Sequence, residues 1–463
     1  SRMAIPYVLT GIIEEAGTYL RKDDGHYDNQ AIQYRQGVVK SVDPKARTIA
    51  LDGGTTQSYA KLLIATGASP VRPPIDGLDL PGVHHCWTLE DCRNIAKLAE
   101  KGADVVLMGA GFIGCIIMEA LAERGVNLTV VEAQDRMVPR MMNETAGNMV
   151  KAWCETKNIH VHTGTKVTKL EANNDAEDTL AVDLDNGTKI PAHLVVVATG
   201  VKSNIGFLEG SGIKMDQGIL VDEFMCTNVD GIYAAGDCAQ GLDFSTGDWA
   251  VHAVQPTSVD HGRIAGLNMA GKPAPYKGSL NMNVLDTVGL ISASFGAWDG
   301  IKGGDHAEAV DAENFRYMRL EFNGDKIVGA LSLGRTDHIG VLRGLIQTEV
   351  QLGDWKDKLM ADPHLIADVR RKPRRLSSEF EMNIRVKLYA SLAEYLPAGA
   401  KKNEADLEVG DKVSPTQVIL RLGLPEKMCH MVLINGVYVA PEERGTTLLE
   451  ADDHLAIWPP VAG

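Results

Sequence analysis

The chain has 463 residues, with 46 Lys and Arg against 61 Asp and Glu, for a formal net charge of −15. That length accommodates about three domains with real cores, and the acidic balance argues against nucleic acid as the main partner. No apolar run is long enough for a membrane-spanning helix, and the 7 cysteines, scattered and without a CxxC pair, fit a reducing cytoplasm and offer no metal site or disulfide framework.

In chain order, the first readable element is the apolar strand Leu62-Leu63-Ile64. It runs into Ala65-Thr66-Gly67 and follows a hairpin-like stretch that turns at Asp52-Gly53-Gly54. Next, Asp104-Val105-Val106-Leu107-Met108 is short, apolar and β-branched, which predicts a buried parallel strand. It leads into Gly109-Ala110-Gly111-Phe112-Ile113-Gly114, then a helix-compatible run closed by Gly125, then a second strand, Leu128-Thr129-Val130-Val131, that delivers Glu132. Strand, glycines, helix, strand and acid in this order predict a dinucleotide-binding fingerprint.

The chemistry explains the spacing. Gly109 allows a tight turn, Gly111 lets the backbone approach a pyrophosphate, and Gly114 lets helix pack on strand. Amide N–H groups at the helix start, around Phe112 and Ile113, then hold the anion. Glu132 lies 18 positions beyond Gly114. A carboxylate there accepts from a ribose 2′-OH and repels a 2′-phosphate, so NAD is favoured over NADP. Arg136 stands close enough in sequence to soften that preference.

A second apolar strand ending in Ala-Thr-Gly, Val195-Val196-Val197-Ala198-Thr199-Gly200, follows a turn at Asp185-Asn186-Gly187. Two such segments flanking a nucleotide fold suggest two related domains, one inserted in the other. Ile232-Tyr233-Ala234 then runs through Ala235 into Gly236-Asp237, where an open parallel sheet presents ligands at its carboxyl edge. Between about Tyr276 and Asp362, β-like runs at 282–294, 316–322 and 327–333 precede an amphipathic helical stretch near 339–350. The basic run Arg370-Arg371-Lys372-Pro373-Arg374-Arg375 reads as a solvated linker. Beyond it, Ile384, Val386 and Leu388 alternate with Arg385 and Lys387 as a half-buried strand. Asn435-Gly436, between two apolar runs, predicts a two-residue hairpin.

On the motifs Ala65-Thr66-Gly67, Gly109–Gly114, Ala198-Thr199-Gly200 and Gly236-Asp237, in that order, the chain from Ser1 to about Asp362 resembles a known family: the two-dinucleotide-domain flavoproteins of the pyridine nucleotide–disulfide oxidoreductase superfamily. The resemblance implies an α/β fold with two nested Rossmann-like domains. An FAD-binding domain at 1–100 and 226–275 would surround an NAD-binding domain at 101–225, and an α+β interface domain at 276–368 would make a homodimer. Asp237 would hold the FAD ribitol or pyrophosphate region. Arg2, Pro6, Val39, Ala65, Thr66, Gly67 and Gly236 would line the same site, and Gly200 would serve the NAD site. The helix near Gln255-Pro256-Thr257 would aim its N-terminus at the flavin pyrimidine.

Two departures stand out. The family's first GxGxxG, which grips FAD, is absent: Ser1-Arg2-Met3-Ala4-Ile5-Pro6-Tyr7 resembles the segment after that βα unit. Either the native protein starts upstream, which is the expectation, or the chain binds FAD poorly. Disulfide-reducing relatives also place a redox cysteine where this chain has Met3, which forms no thiolate or mixed disulfide. Cys86 and Cys92 read as buried structural thiols. Ile116 stands where many relatives carry a glutamate near the nicotinamide.

Residues 382–463, after a linker at 369–381, resemble the ubiquitin-like β-grasp sulfur carriers, the small subunit of molybdopterin synthase and its ThiS relatives. Those end in Gly-Gly, whereas here only Gly463 is visible. Either a final residue is missing, or the tail carries no sulfur and the module serves docking.

The leading expectation is therefore an FAD-dependent NADH oxidoreductase without a cysteine relay. It would exchange electrons with a protein partner, by analogy a tungsten or molybdenum aldehyde oxidoreductase. The alternatives are an NADH oxidase using O₂ or another small oxidant, and a sulfur carrier served by a sulfur-activating enzyme.

Overall fold

The strand Asp104–Met108 forms inside a sheet because four of its five residues are buried, and a segment apolar on both faces must be covered on both. The sheet has five strands, all parallel, in the spatial order Val83–His85, Leu194–Val197, Asp104–Met108, Asn127–Val131 and His160–His162. From Asp104–Met108 the chain builds outward on one side, then returns through Leu194–Val197 to the other. The turns after these two strands therefore meet at the point where the strand order reverses, which is where open α/β sheets bind ligands. Val105, Val106, Leu107 and Met108 are each at most 4% exposed, and burying such a side chain fully stabilises by about 1.5–3 kcal/mol.

The coordinates are a computed structural model that describes residues 2–173, 179–335, 339–371, 381–397, 400–410 and 413–459. They divide into two compact units, Ser1–Arg371 and Lys372–Gly463.

Local capping explains where the helices of the parallel sheet begin. Leu89–Leu98 starts at a capping box in which Thr88 accepts from the Asp91 N–H and the Asp91 carboxylate accepts from the Thr88 N–H. Glu144–Thr156 starts at Asn143, whose side chain accepts from the Ala146 N–H at 3.0 Å. Phe112–Glu123 starts at Gly111 with no side-chain cap at all.

The strand Val83–His85 lies at the edge of this sheet, although residues 1–100 were expected with the flavin half. Ile5 and Leu9 of the short Ile5–Leu9 helix likewise pack into the core on this sheet's helical face. The cause is a three-residue strand with two polar histidines, which carries too little apolar pattern to read.

The outer half is smaller. Leu62–Ile64 pairs in parallel with Ile232–Ala234, in the register Leu62↔Ile232. Ala68–Pro70 and Val201–Ser203, the segments just past the two Ala-Thr-Gly runs, pair antiparallel and form the crossing between the halves. Both predicted glycine turns are hairpins: Thr48–Leu51 with Thr56–Ser58, and Leu180–Leu184 with Lys189–Ala192.

Residues 282–333 form a five-stranded antiparallel sheet in the order Met282–Thr287, Leu290–Gly296, Lys326–Leu333, Arg316–Asn323, Asp305–Asp311. The helices Ile339–Gln347 and Trp355–Ala361 follow it.

The second unit is a mixed five-stranded sheet in the order Glu404–Gly410, Glu381–Leu388, His454–Trp458, Met431–Ile434, Val437–Tyr438. Its central pair, Glu381–Leu388 and His454–Trp458, is parallel and its other pairings antiparallel. The Pro415–Arg421 helix contributes Val418 and Ile419 to the same core as Ile384, Val386 and Leu388. Asn435 and Gly436 have φ of 51° and 83°, as the predicted two-residue turn requires. Among the described residues, no helix is long and apolar enough to cross a membrane.

Candidate active site

The three fingerprint glycines have different reasons to be glycine. Gly109 has φ of 100°, and a Cβ there would lie 2.5 Å from the Ala198 carbonyl oxygen of the neighbouring Ala-Thr-Gly turn. A Cβ on Gly114 would lie 2.1 Å from the Gly109 carbonyl oxygen, so helix and loop touch only because no side chain intervenes. Gly111 is unlike both. Its φ of −76° suits any residue, and a Cβ would meet no protein atom within 4 Å. Protein packing does not explain Gly111, whereas a pyrophosphate pressed against the uncapped start of the Phe112–Glu123 helix does. The loop therefore fits a dinucleotide.

Glu132 is 7% exposed. One carboxylate oxygen accepts from the Ala110 N–H at 2.7 Å and the other from the Gln134 N–H at 2.8 Å. The acid thus fastens the glycine loop to the end of the second strand, and its remaining lone pairs are what could receive a ribose hydroxyl. Arg136 is already engaged with the Asp135 carboxylate at 2.7 Å and the Met142 carbonyl at 2.9 Å. Ile113 and Gly200 line a crevice together with Cys86 and Trp87. Ile116 is half-buried and packs on the core.

The residues expected around a flavin come together in part. The Ser258 hydroxyl donates to the Asp237 carboxylate at 3.1 Å, which ties Gly236-Asp237 to the first turn of the Gln255–Met269 helix. The Ser203 hydroxyl donates to the Asp237 carbonyl at 2.8 Å, linking that turn to the crossing strands. At the other crossing, the Thr66 hydroxyl donates to the Asn204 carbonyl at 2.8 Å, and the Asn204 amide donates to the Thr66 carbonyl at 3.0 Å. Arg2 donates to the Ala68 carbonyl at 3.3 Å, lies 4.2 Å from the Trp87 ring centroid, and stands 3.5 Å from where a Gly67 Cβ would be.

The Gln255–Met269 helix also starts without a side-chain cap, with Gln255 and Pro256 exposed. A half-buried carboxylate with open lone pairs, one arginine and an uncapped helix start suit the ribitol and pyrimidine end of a flavin. Pro6 is half-buried in the Ile5–Leu9 helix, and Val39 opens the strand Val39–Asp43; no hydrogen bond ties either to this group among the described residues. Gly463 lies outside the described residues.

The sequence reading missed Ser203, Asn204 and Ser258. Only a serine in the first turn of a helix facing Gly-Asp could have hinted at the last.

Cys86, expected as a buried structural thiol, is half-buried and lines the crevice shared with Ile113 and Gly200. Met3 is 59% exposed. Burial pushes the Cys86 and Cys154 thiols up to about 12 and raises those of Cys92, Cys115, Cys226 and Cys429. All seven cysteines are free, and among the described residues no His, Cys, Asp and Glu cluster could hold a metal ion.

Comparison with known proteins matches residues 2–261 to the family described as pyridine nucleotide-disulphide oxidoreductase. The chain is 31% identical over 366 residues to the NADH-dependent phenylglyoxylate dehydrogenase subunit epsilon of Aromatoleum evansii, covering 78% of this chain and 86% of that one. It is 30% identical over 268 residues to the rubredoxin-NAD(+) reductase of Ectopseudomonas oleovorans, covering 58% and 69%. Among solved structures, an NAD-dependent persulfide reductase from A. fulgidus aligns with a TM-score of 0.69 at 27% identity, over 76% of this chain and 70% of that one.

Proposed function

The chain belongs to the pyridine nucleotide-disulphide oxidoreductase family, an NAD(P)H-dependent flavin oxidoreductase with FAD and NAD as cofactors, and from that premise we propose that it links NADH to a protein electron carrier with no cysteine relay. FAD, when bound, supplies acceptance of two electrons from a nicotinamide and their release to a second partner. Gly111 and the N–H groups at the start of the Phe112–Glu123 helix hold the NADH pyrophosphate. Glu132 keeps that loop in place and accepts from the ribose. Asp237, fixed by Ser258 and Ser203, orients the flavin chain, and the Gln255–Met269 helix start stabilises negative charge on the pyrimidine.

The observation that supports a route without a cysteine relay is Met3, an exposed thioether where the resemblance would put the relay thiol, together with the raised thiols of Cys86 and Cys92. The rubredoxin-reducing relative supports a protein acceptor. We place that partner among tungsten or molybdenum aldehyde oxidoreductases, with flow in either direction. The sheet spanning 282–333 is the proposed homodimer surface.

The test measures anaerobic and aerobic NADH turnover of the FAD-loaded chain with a small iron–sulfur protein as acceptor. Carrier-dependent turnover well above the oxygen rate supports the reading, whereas fast water or peroxide formation with oxygen alone refutes it in favour of an NADH oxidase.

The second unit carries its own proposal. Its parallel central strand pair, flanking hairpins and packed Pro415–Arg421 helix support a β-grasp sulfur carrier with Gly463 at the working end. Intact mass after incubation with a sulfur-activating enzyme, ATP and a sulfur donor would gain the mass difference of one oxygen-to-sulfur exchange. An unchanged mass with the full native end refutes it.

A further inference from the structure

One cavity lies apart from the glycine loop. It measures about 350 Å³ and is lined by residues of the Gln255–Met269 helix and by Arg343 and Gln347 of the Ile339–Gln347 helix. Three cations surround it: Arg263, Lys277 and Arg343. The one carboxylate on its wall is Asp260. Among the described residues, the Arg263 and Lys277 side chains make no hydrogen bond or ion pair, and Arg343 donates only to the neutral amide oxygen of Gln347, at 3.1 Å. The cavity therefore carries a local positive excess in a chain of net charge −15. A positive excess of this kind concentrates anions.

The floor has a different character. Ile264 and Leu280 are 3% and 7% exposed, and Phe244 completes an apolar base. Inorganic anions gain nothing from such a floor, whereas an apolar body does. Guanidinium groups match the two-oxygen edge of a carboxylate or phosphate, and the volume falls in the range of small-molecule pockets.

We propose that this cavity binds a small organic oxyanion, with an apolar body on Phe244, Ile264 and Leu280 and a carboxylate or phosphate head between Arg263 and Arg343. The site goes beyond the oxidoreductase reading and stands without it. It also borders Pro256 and Thr257, so a ligand there lies against the first turn of the helix assigned to the flavin.

The experiment is isothermal titration calorimetry on the full chain with four probes: phenylacetate, phenyl phosphate, inorganic phosphate and benzyl alcohol. Both aryl anions, or one of them, should bind at least tenfold more tightly than inorganic phosphate and benzyl alcohol, and which one does so identifies the head group. The double variant R263A/R343A should weaken that binding by about tenfold or more. All three cations are exposed, so an unchanged thermal unfolding curve for the variant is the expected control. A fivefold rise in salt should weaken wild-type binding further. Equal binding of benzyl alcohol overturns the charge argument. Equal binding of inorganic phosphate overturns the apolar one. No heat from either aryl anion, or no loss in the folded double variant, overturns the site.

Discussion

The clearest perturbation compares two alanines three residues apart. In Gly114→Ala the new Cβ would start 2.1 Å from the Gly109 carbonyl oxygen, more than 1 Å inside ordinary van der Waals contact. Helix and loop must separate, and forcing atoms into a close-packed interface costs about 1–3 kcal/mol. That corresponds to a fall in Tm of several degrees for a unit of this size. In Gly111→Ala nothing lies within 4 Å and φ is already acceptable. The fold should lose no more than about 1 kcal/mol, the difference between glycine and alanine at a helix N-cap. NADH, however, meets a methyl group where its pyrophosphate should touch the backbone. Losing one hydrogen bond to a charged group costs about 1.5–3 kcal/mol, a rise in Kd of roughly ten- to hundredfold. Differential scanning calorimetry reads the first effect and anaerobic NADH titration the second. An unperturbed Kd in well-folded G111A, or a G114A protein that melts with the wild type, would refute the division of labour among these glycines.

Further outcomes follow from the same geometry. Glu132→Gln turns one acceptor oxygen into a donor facing the Ala110 or Gln134 N–H; it should cost about 1–3 kcal/mol of stability and weaken NADH, both read by melting with and without nucleotide. Asp237→Ala should lower retention of FAD on gel filtration by about tenfold or more while NADH binding stays within twofold. Burial moves the His261 imidazole down to about 4 from its ordinary 6.5. The unfolded chain then protonates first, and stability held above pH 6.5 is lost as pH falls toward 4; His261→Phe should flatten that slope in pH-dependent melts. The Cys154 thiol, pushed up to about 12 from an ordinary 9, favours the native state below pH 9, and that contribution fades as pH rises toward 12. At pH 7, iodoacetamide should therefore leave Cys154 unlabelled by intact mass until the chain is unfolded.

The glycine fingerprint was legible because its physics is local: strand, turn, helix start and acid lie within thirty residues, and each residue type has one main reason to be there. The Asn435-Gly436 turn was legible for the same reason, since few residues accept two successive positive φ values. The strand Asp305–Asp311 was not, because its sequence, Asp-His-Ala-Glu-Ala-Val-Asp, is mostly polar on an exposed edge and only Ala307 is buried. Glu132 was read for a ligand, but its two backbone contacts depend on how strand ends meet in space. Ser203 and Ser258 reach Asp237 from 34 and 21 residues away, and nothing in local spacing announces such meetings. The cavity beside Arg263 and Arg343 likewise exists only once two distant helices pack together.

The parallel pairing of Leu62–Ile64 with Ile232–Ala234 sets a timetable for the chain. These two short strands cannot meet until the 167 residues between them have been drawn into a compact body. Bringing together the ends of so long a loop is slow when the loop is unfolded, and contacts this remote in sequence dominate the folding time. The inserted parallel sheet, whose strand pairings all close shorter stretches of chain, therefore organises first and presents its two Ala-Thr-Gly ends side by side. Only then does the outer half close. During synthesis, the strand Leu62–Ile64 emerges well before its partner and stays unpaired until the strand at 232 has left the ribosome, an interval open to misassembly and proteolysis.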